Sequence, residues 1–198
     1  AHLNLGNILI DLGKLQEAEL STRKTIELKP DFAMAYSNLG NILRDLGNLQ
    51  EAEISTRKAI ELNPDFAIAH FNLGSILKDL GNLQEAEFSY RKAIEIKPDF
   101  PNAHLNLGII LQDLGKLKEA EFSYRKAIEI NPELAKAYFN LSILRDSNSN
   151  NDFWKNQLFS ENILNNKSKV DQIDIYFARA NILHKEKNYE ESSRYLKL

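Results

Sequence analysis

An asparagine recurs once every 34 residues along most of the chain, two positions before a small residue. The five members are Asn4, Asn38, Asn72, Asn106 and Asn140. An amide side chain both donates and accepts hydrogen bonds, so a row of amides has the groups needed to hold the backbone of an extended peptide. A helix interior gains little from asparagine, and a local structural hydrogen bond is therefore the other explanation. The pattern leaves both explanations open, and the two are compatible.

Histidine recurs at the same spacing, in His70 and His104, where other copies have Tyr36 and Tyr138. Such a pair could bind a metal ion, but replacement of an aromatic ring in helix packing explains it better. The sequence has no cysteine, no glycine-rich phosphate loop and no nucleophile elbow. We therefore predict no catalytic residue, no metal and no cofactor, and a protein that is not an enzyme.

Charge and hydropathy narrow the class of partner. The net charge is −3, from 25 basic and 28 acidic residues, whereas binding to nucleic acid or to an anionic membrane calls for a basic patch. No apolar run approaches the roughly 20 residues that span a bilayer, and no apolar leader opens the printed sequence. We expect a cytoplasmic protein that binds another protein or a peptide segment, and neither nucleic acid nor membrane.

The residues around the asparagines repeat as well. The stretch DLGNLQEAE, or a near copy of it, starts at positions 11, 45, 79 and 113. Self-similarity at this period indicates a stacked array of small units. Within one unit, apolar residues recur every three or four positions in two runs, which predicts two helices, A and B. Gly47 lies between the runs, where a left-handed residue ends helix A, and Pro64 follows helix B.

Each helix A also has a glycine in its interior, which costs about 1 kcal/mol relative to alanine. These glycines are Gly6, Gly40, Gly74 and Gly108. We expect close helix packing to offset the cost, with Ala52 and its equivalents in helix B facing the glycines. Asp65 is predicted to cap the next helix A. Glu53 and Arg57, with their equivalents, form i,i+4 pairs that indicate a solvated outer face.

These elements predict an all-α fold, a right-handed α-solenoid of antiparallel helix pairs. The regular array should cover residues 1–146, with four repeats and a fifth helix A over Glu133–Arg145. From 147 to 198 the spacing becomes irregular: 152–164 has the pattern of a degenerate helix B, and a degenerate sixth repeat follows. This irregular part either caps the array or leads to a further domain.

The units resemble the tetratricopeptide repeat. The similarity rests on the small residue of helix A, the alanines of helix B and the proline that closes each unit. The stretches AYSNLGNILRDLGNLQEAE and PDFPNAHLNLG look most like the asparagine-ladder subtype that precedes the catalytic domain of O-linked N-acetylglucosamine transferases. That resemblance implies an extended peptide bound on the inner face, which the A helices form. The carboxylate-clamp subtype is rejected, because Ser37, Phe71 and Leu105 stand where its lysine would be.

Positions beside the asparagines complete the predicted groove, which is polar toward the N-terminus and more apolar toward the C-terminus. Its further members are Asn7, Asn41, Arg44, Lys78, Phe71, Leu105, Ile109 and Phe139. The apolar members could anchor a partner's side chain or seat a segment of the chain's own irregular end.

We therefore predict a protein–protein interaction module that holds an extended polypeptide segment, as a scaffold or a substrate-recruiting arm. One alternative is the non-catalytic N-terminal part of a glycosyltransferase or sulfotransferase that contains such repeats. The other alternative is a self-assembling scaffold, a homo-oligomer formed through apolar helix faces at the repeat ends.

Overall fold

The structure is a computed structural model that describes residues 9, 12–144 and 153–197. In those residues it contains eleven α-helices, one 3-10 helix and no strand. In chain order the helices are α1 (Leu15–Leu28), α2 (Ala33–Asp45), α3 (Leu49–Leu62), α4 (Ala67–Asp79), α5 (Leu83–Ile96), α6 (Pro101–Asp113), α7 (Leu117–Ile130), α8 (Ala135–Ile143), α9 (Phe153–Leu158), the 3-10 helix (Glu161–Leu164), α10 (Lys169–Lys185) and α11 (Tyr189–Tyr195). The predicted all-α fold is confirmed.

The chain forms two compact units. Unit 1 is residues 1–98 and contains α1 to α5, and unit 2 is residues 99–198 and contains α6 to α11. Unit 1 has two complete pairs, α2–α3 and α4–α5, preceded by α1, which is the B helix of the first repeat. Leu39 and Leu43 of α2 pack with Ala52 of α3 and Ile76 of α4 in one buried cluster. The apolar positions spaced three and four apart therefore face the core, as predicted.

The turn between helices A and B is closed by a glycine in the left-handed conformation. Gly47 has a φ of +83°, and just beyond it the amide of Asn48 donates to the carbonyl oxygen of Leu43 at 2.8 Å. This bond marks a Schellman-type helix end, which residues with a Cβ form only at a cost. Gly13, Gly81 and Gly115 repeat the conformation, with φ values of +71°, +81° and +74°. The predicted role of Gly47 is confirmed.

The interior glycines of helix A make room for a side chain of helix B. A Cβ on Gly74 would lie 2.8 Å from the ring of Tyr90. The equivalent pairs are Gly40 with Thr56 and Gly108 with Tyr124. The helices therefore approach closely, as predicted, but the nearest atoms belong to residues one turn after the alanines that we expected to face the glycines.

The prediction that Asp65 caps the next helix is wrong. Helix α4 begins at Ala67, its N-cap is Phe66, and no side chain accepts a hydrogen bond there. Asp65 is thus one residue too early to reach the first free amides of the helix. The carbonyl oxygen of Phe66 accepts from the amide of Ala69 at 2.9 Å, and the half-buried Phe66 occupies the position instead.

Unit 2 begins with another regular pair, α6–α7, and then changes. Helix α8 ends at Ile143, whereas the sequence predicted a helix to Arg145; Arg145 and the predicted boundary at 146/147 lie outside the described residues. In place of one degenerate helix B over 152–164 there are two short pieces, α9 and the 3-10 helix. Helices α10 and α11 form the predicted sixth pair.

A buried arginine connects the short pieces to the sixth pair. Arg179 of α10 is 6% exposed, and it donates through Nε to the carbonyl oxygen of Leu158 and through Nη2 to that of Ser160, both at 2.8 Å. Its guanidinium also lies 5.8 Å from the ring centroid of Phe159 and 5.4 Å from that of Tyr195. Because α9 ends at Leu158, the cation meets the partial negative charge of a helix C-terminus.

Two lysines bind other free carbonyl groups of unit 2. The ammonium of Lys185 donates to the carbonyl oxygen of Leu144, directly after α8. That of Lys167 donates to the carbonyl oxygen of Glu133 at 3.0 Å and also pairs with its carboxylate. Side-chain cations thus satisfy backbone groups in the region where the second helix of the fifth repeat is shortened.

Candidate peptide-binding surface

The A helices of neighbouring repeats lie side by side in unit 1. Near their middles, Nδ2 of Asn72 on α4 donates to Oγ of Ser37 on α2 at 3.1 Å. Near their ends, Nε of Arg44 on α2 donates to Oδ2 of Asp79 on α4 at 2.6 Å. Both bonds join residues 35 apart. The two helices are therefore in register along their length, and residues one repeat apart follow one another on the same face.

The ladder asparagines that the structure describes are half-buried, and the amide groups of Asn72 and Asn140 donate within the protein. Asn72 donates to Ser37, as above, and Nδ2 of Asn140 donates to the carbonyl oxygen of Lys136 at 2.8 Å. A structural bond therefore accounts in part for these two. The oxygen Oδ1 takes no part in either bond and can accept from a peptide N–H. Asn38, Asn41 and Asn106 are also half-buried, on α2 and α6; Asn4 and Asn7 lie outside the described residues.

The two predicted cations of the groove share one carboxylate. Nζ of Lys78 lies 3.9 Å from Oδ1 of Asp79, whose other oxygen accepts from Arg44. The side chains of Arg44 and Asp79 are 30% and 29% exposed, so the pair contributes less than about 1 kcal/mol. Sequence reasoning overlooked Asp79 as the link, although an aspartate at this position of every regular repeat was a usable signal. Either cation can exchange Asp79 for a carboxylate of a bound peptide.

The predicted apolar members differ in exposure. Phe71 is half-buried, and its ring centroid lies 5.7 Å from that of Tyr90 in the same repeat. Leu105 of α6 is only 5% exposed and offers little side-chain surface to a partner. Ile109, one turn further along α6, is half-buried.

In unit 2, apolar side chains of α8 and α10 form an exposed patch. The ring of Phe139 packs edge-on against that of Phe177, with centroids 6.5 Å apart, a favourable geometry for two aromatic rings. Phe177, Ile143 and Ile173 are 46%, 38% and 50% exposed. We call Phe139, Ile143, Ile173 and Phe177 the unit 2 patch. The sequence contained a signal for Phe177, because YFARANIL aligns it with Phe139 of YFNLSIL, but the prediction omitted it.

The B helices carry paired charges, as predicted. Arg57 donates through Nε to Glu53 at 2.8 Å and through Nη2 to Glu85 of the next B helix, also at 2.8 Å. These bonds, first that to Glu53, raise the pKa of Arg57 and keep it charged. Arg23 bridges Glu19 and Glu51 in the same way. The i,i+4 pairs are confirmed, and the link between successive repeats is one that sequence reasoning missed.

The aromatic position early in helix A is used for packing. Nε2 of His70 lies 2.9 Å from the carbonyl oxygen of Pro64, and His104 is 9% exposed. Tyr138, at the same repeat position, is fully buried and donates to Oε1 of Gln157 at 3.2 Å. Burial, with Glu133 adding to it, raises the pKa of Tyr138, so its phenol remains a donor.

The described residues carry neither a metal-binding cluster nor a membrane-spanning helix. Within residues 9, 12–144 and 153–197, no group of three or more histidine, aspartate or glutamate side chains is placed to hold a metal ion. Over the same ranges, none of the helices has the length and hydropathy needed to cross a bilayer.

The helix pairs, their small interior residue and their glycine turn define a tandem helical repeat protein. Profiles of the tetratricopeptide repeat match residues 1–32, 33–66, 56–88, 101–134 and 173–198, and a TPR repeat profile matches 74–115. The chain belongs to the tetratricopeptide repeat family, as the sequence resemblance indicated.

Solved structures with the same fold cover nearly the whole chain. A crystal structure of MamA is 20% identical, has a TM-score of 0.66, and aligns over 92% of this chain and 96% of its own. MamA of Desulfovibrio magneticus RS-1 is 18% identical, with a TM-score of 0.67 and coverages of 96% and 94%. YrrB, described as a TPR protein with an unusual peptide-binding site, is 22% identical, with a TM-score of 0.63 and coverages of 94% and 90%. At these identities the likeness establishes the fold. A search of the curated proteins finds no match.

Proposed function

We propose that this chain is a protein–protein interaction module that binds an extended polypeptide segment along the face of its A helices. The observation that carries the proposal is the register of α2 and α4, fixed by the Asn72–Ser37 bond. Packed helices lie roughly 8–10 Å apart, and an extended chain rises about 3.3 Å per residue. Successive asparagines, Asn38 and Asn72, therefore meet an extended peptide about once every three residues.

The side chains on this face can bind the backbone of a peptide more readily than they can select a particular peptide sequence. Oδ1 of Asn72, which takes no part in the bond to Ser37, accepts from a peptide N–H, and Arg44 and Lys78 attract a carboxylate in the same region of unit 1. In unit 2, the patch around Phe139 and Phe177 offers an apolar anchor. Such a surface binds with modest affinity, because the peptide loses conformational entropy when it is ordered.

Family membership supports this role, since the tetratricopeptide repeat is shared with YrrB, which is described as having a peptide-binding site. The resemblance to the asparagine-ladder repeats of O-linked N-acetylglucosamine transferases points the same way. The module would then act as a scaffold or as an arm that recruits a substrate.

Peptides selected on the wild-type chain from a displayed random library provide the test. The triple variant Asn38→Ala, Asn72→Ala, Asn106→Ala should bind the selected pool at least about tenfold more weakly, from the loss of up to three hydrogen bonds of about 1 kcal/mol each. The matched control is Asn48→Ala with Asn82→Ala, because these exposed asparagines recur at the same period and form no side-chain cap bond. Equal affinity of the triple variant and the control pair would reject the ladder.

A specific observation also favours self-assembly as a second function. Val170 and Ile173 of α10 and Leu196 after α11 are 62%, 50% and 58% exposed. A neighbouring molecule that covers these side chains would stabilise the assembly by about 25 cal/mol for each Å² of apolar surface that it buries. Sedimentation across a dilution series should then show dissociation, and a constant monomer mass would exclude this function. The transferase alternative stays a prediction, which the full reading frame tests.

A further inference from the structure

A cavity lies in unit 1 among the B helices, lined by none of the ladder asparagines. It is an open cavity of about 510 Å³ between α3 and α5, with α4 beneath it. Ile60 of α3, Leu73 of α4 and Phe88 of α5 supply its apolar walls. We call this cavity the outer groove. Its volume is within the range of sites that bury a ligand or a large side chain.

The polar groups that line the outer groove include an ion pair and a serine hydroxyl. Arg57 and Glu85, which both line it, are joined by their 2.8 Å hydrogen bond. Ser89 also lines the groove and is only 3% exposed. The hydroxyl of Ser55, its equivalent one repeat earlier, donates to the carbonyl oxygen of Tyr36 at 3.1 Å. Because Ser89 lines the groove, its hydroxyl can exchange a hydrogen bond with a polar group of a ligand bound there.

A related cavity in unit 2 shows how the chain itself covers such a surface. It is lined by Arg125, Ile128 and Glu129, which stand two repeats after Arg57, Ile60 and Glu61 in the sequence. Here the lining also includes Phe153 and Trp154 of α9, and the volume is about 330 Å³. Trp154 is 4% exposed and Ile128 is 1% exposed, whereas Ile60 in the outer groove is only half-buried.

We propose that the outer groove binds a segment of a partner polypeptide that carries a tryptophan, as the Phe153–Leu158 helix covers the related cavity of unit 2. An indole ring fills apolar walls of this size, and its N–H can donate to Oγ of Ser89. The ion pair of Arg57 and Glu85 contributes charged groups beside the ring. Tryptophan is also among the side chains enriched at the energetic centres of protein interfaces. The outer groove is separate from the face that carries the asparagine ladder. The proposal for the groove therefore does not depend on the function proposed for that face.

Calorimetric titration of the full chain with an acetylated, amidated hexapeptide of residues 153–158 (FWKNQL) tests the proposal. We expect saturable binding, weakened at least tenfold when alanine replaces the tryptophan of the peptide. Phe88→Ala in the protein should weaken binding to a similar extent. Its matched control is Ile54→Ala, because Ile54 holds the same position one repeat earlier and is 70% exposed, against 63% for Phe88. Both side chains are exposed, so neither change should unfold the protein.

Further measurements distinguish a partner polypeptide from other possible occupants of the outer groove. His70→Tyr, which introduces the residue found at Tyr36 and Tyr138, should also weaken binding by narrowing the groove. Binding unaffected by both Phe88→Ala and His70→Tyr would overturn the proposal and indicate that the peptide displaces α9 in unit 2. Free N-acetyl-tryptophanamide binding as tightly as the hexapeptide would indicate a small-molecule site instead. A dimer that Phe88→Ala dissociates in sedimentation would identify the occupant as a second copy, again against a separate partner.

Discussion

The regular helix pairs of unit 1 and the irregular end of unit 2 satisfy their backbone groups in different ways. In unit 1 a left-handed glycine closes each A helix through backbone bonds alone, as at Gly47. In unit 2 side chains reach the carbonyl groups: Arg179 binds those of Leu158 and Ser160, and Lys185 binds that of Leu144. Buried backbone groups must be paired in either case. A chain that loses its repeat spacing therefore needs charged side chains to replace a missing turn of helix.

Helix starts show the same contrast. In α2 to α8 the N-caps make no side-chain bond, and a phenylalanine or leucine fills that place in each A helix. In the irregular end, Oγ of Ser168 accepts from the amide of Asp171, and Oδ1 of Asn188 accepts from that of Glu191. Lys187 there adopts a φ of +63°, where the regular repeats have glycine. Packing against the next repeat defines a regular helix, whereas local side-chain bonds define an irregular one.

Replacement of Arg179 by leucine, the residue at this position in the regular repeats, should have the largest effect. Two charge-assisted hydrogen bonds to the carbonyl groups of Leu158 and Ser160 would be lost, which costs about 3 kcal/mol. Urea unfolding, followed with hydrogen exchange of the α9 and α10 amides, measures the loss. Arg91→Leu is the control, since Arg91 is exposed in an i,i+4 pair and its loss should cost less than about 1 kcal/mol. Equal stability of the two variants would refute the role of Arg179.

Gly74→Ala should destabilise unit 1 by about 2 kcal/mol, although alanine is the better helix former. The new Cβ would lie 2.8 Å from the ring of Tyr90, and overpacking of this kind costs roughly 1–3 kcal/mol. Thermal unfolding measures the change. In a double-mutant cycle with Tyr90→Ala the penalty for Gly74→Ala should vanish, because the clashing ring is gone. A penalty that persists without the ring would place the clash elsewhere.

Lys187→Gly should stabilise the sixth repeat by about 1 kcal/mol, because glycine adopts a positive φ without the strain of a Cβ. Gly47→Ala should show the opposite sign in unit 1, and since no atom lies within 4 Å of its Cβ position, only conformation is tested. Urea midpoints of both variants give the comparison. A loss of stability in Lys187→Gly would show that its side chain matters more than its backbone.

Asp174→Asn should give the smallest effect: it should raise the free energy of unfolding by less than about 1 kcal/mol at pH 7. Burial raises the pKa of Asp174, and Asp171 adds to this while Lys136 opposes it. Its Oδ2 is buried and has no hydrogen-bond partner in the part of the chain that the structure describes. The folded protein therefore favours the protonated acid, so this group supports folding at acid pH and loses that contribution as the pH rises through the raised pKa.

Thermal unfolding of the Asp174→Asn variant from pH 4 to 8 tests this pH dependence. The gain should fall toward zero as the acid becomes protonated in both the folded and the unfolded chain. Lys136→Met should enlarge this gain in stability, because it removes a nearby cation that favours the carboxylate. A gain that does not change with pH would assign the effect to something other than ionisation.

The regular repeats were largely readable from sequence. The period, the helices A and B, the turn at Gly47 and the charged pairs such as Glu53–Arg57 all followed from spacing and residue type. The predicted cap at Asp65 failed because one residue of register decides whether a carboxylate can reach a helix amide. The site was less predictable: Leu105 was predicted to be part of the groove but is buried, and Asp79, which the prediction omitted, pairs with Arg44.

By itself, the sequence determined that this protein is an array of helix pairs, because a 34-residue repeat with helical periodicity allows each unit to bury its apolar face only against its neighbours. Only the tertiary structure decided which of the repeated residues meet. Asn72 donates to Ser37, Arg57 donates to Glu85, and Arg179 donates to the end of α9, because the side chains of successive helices interdigitate in three dimensions. A one-dimensional period fixes the spacing of residues along the chain, but not the distances between atoms across it.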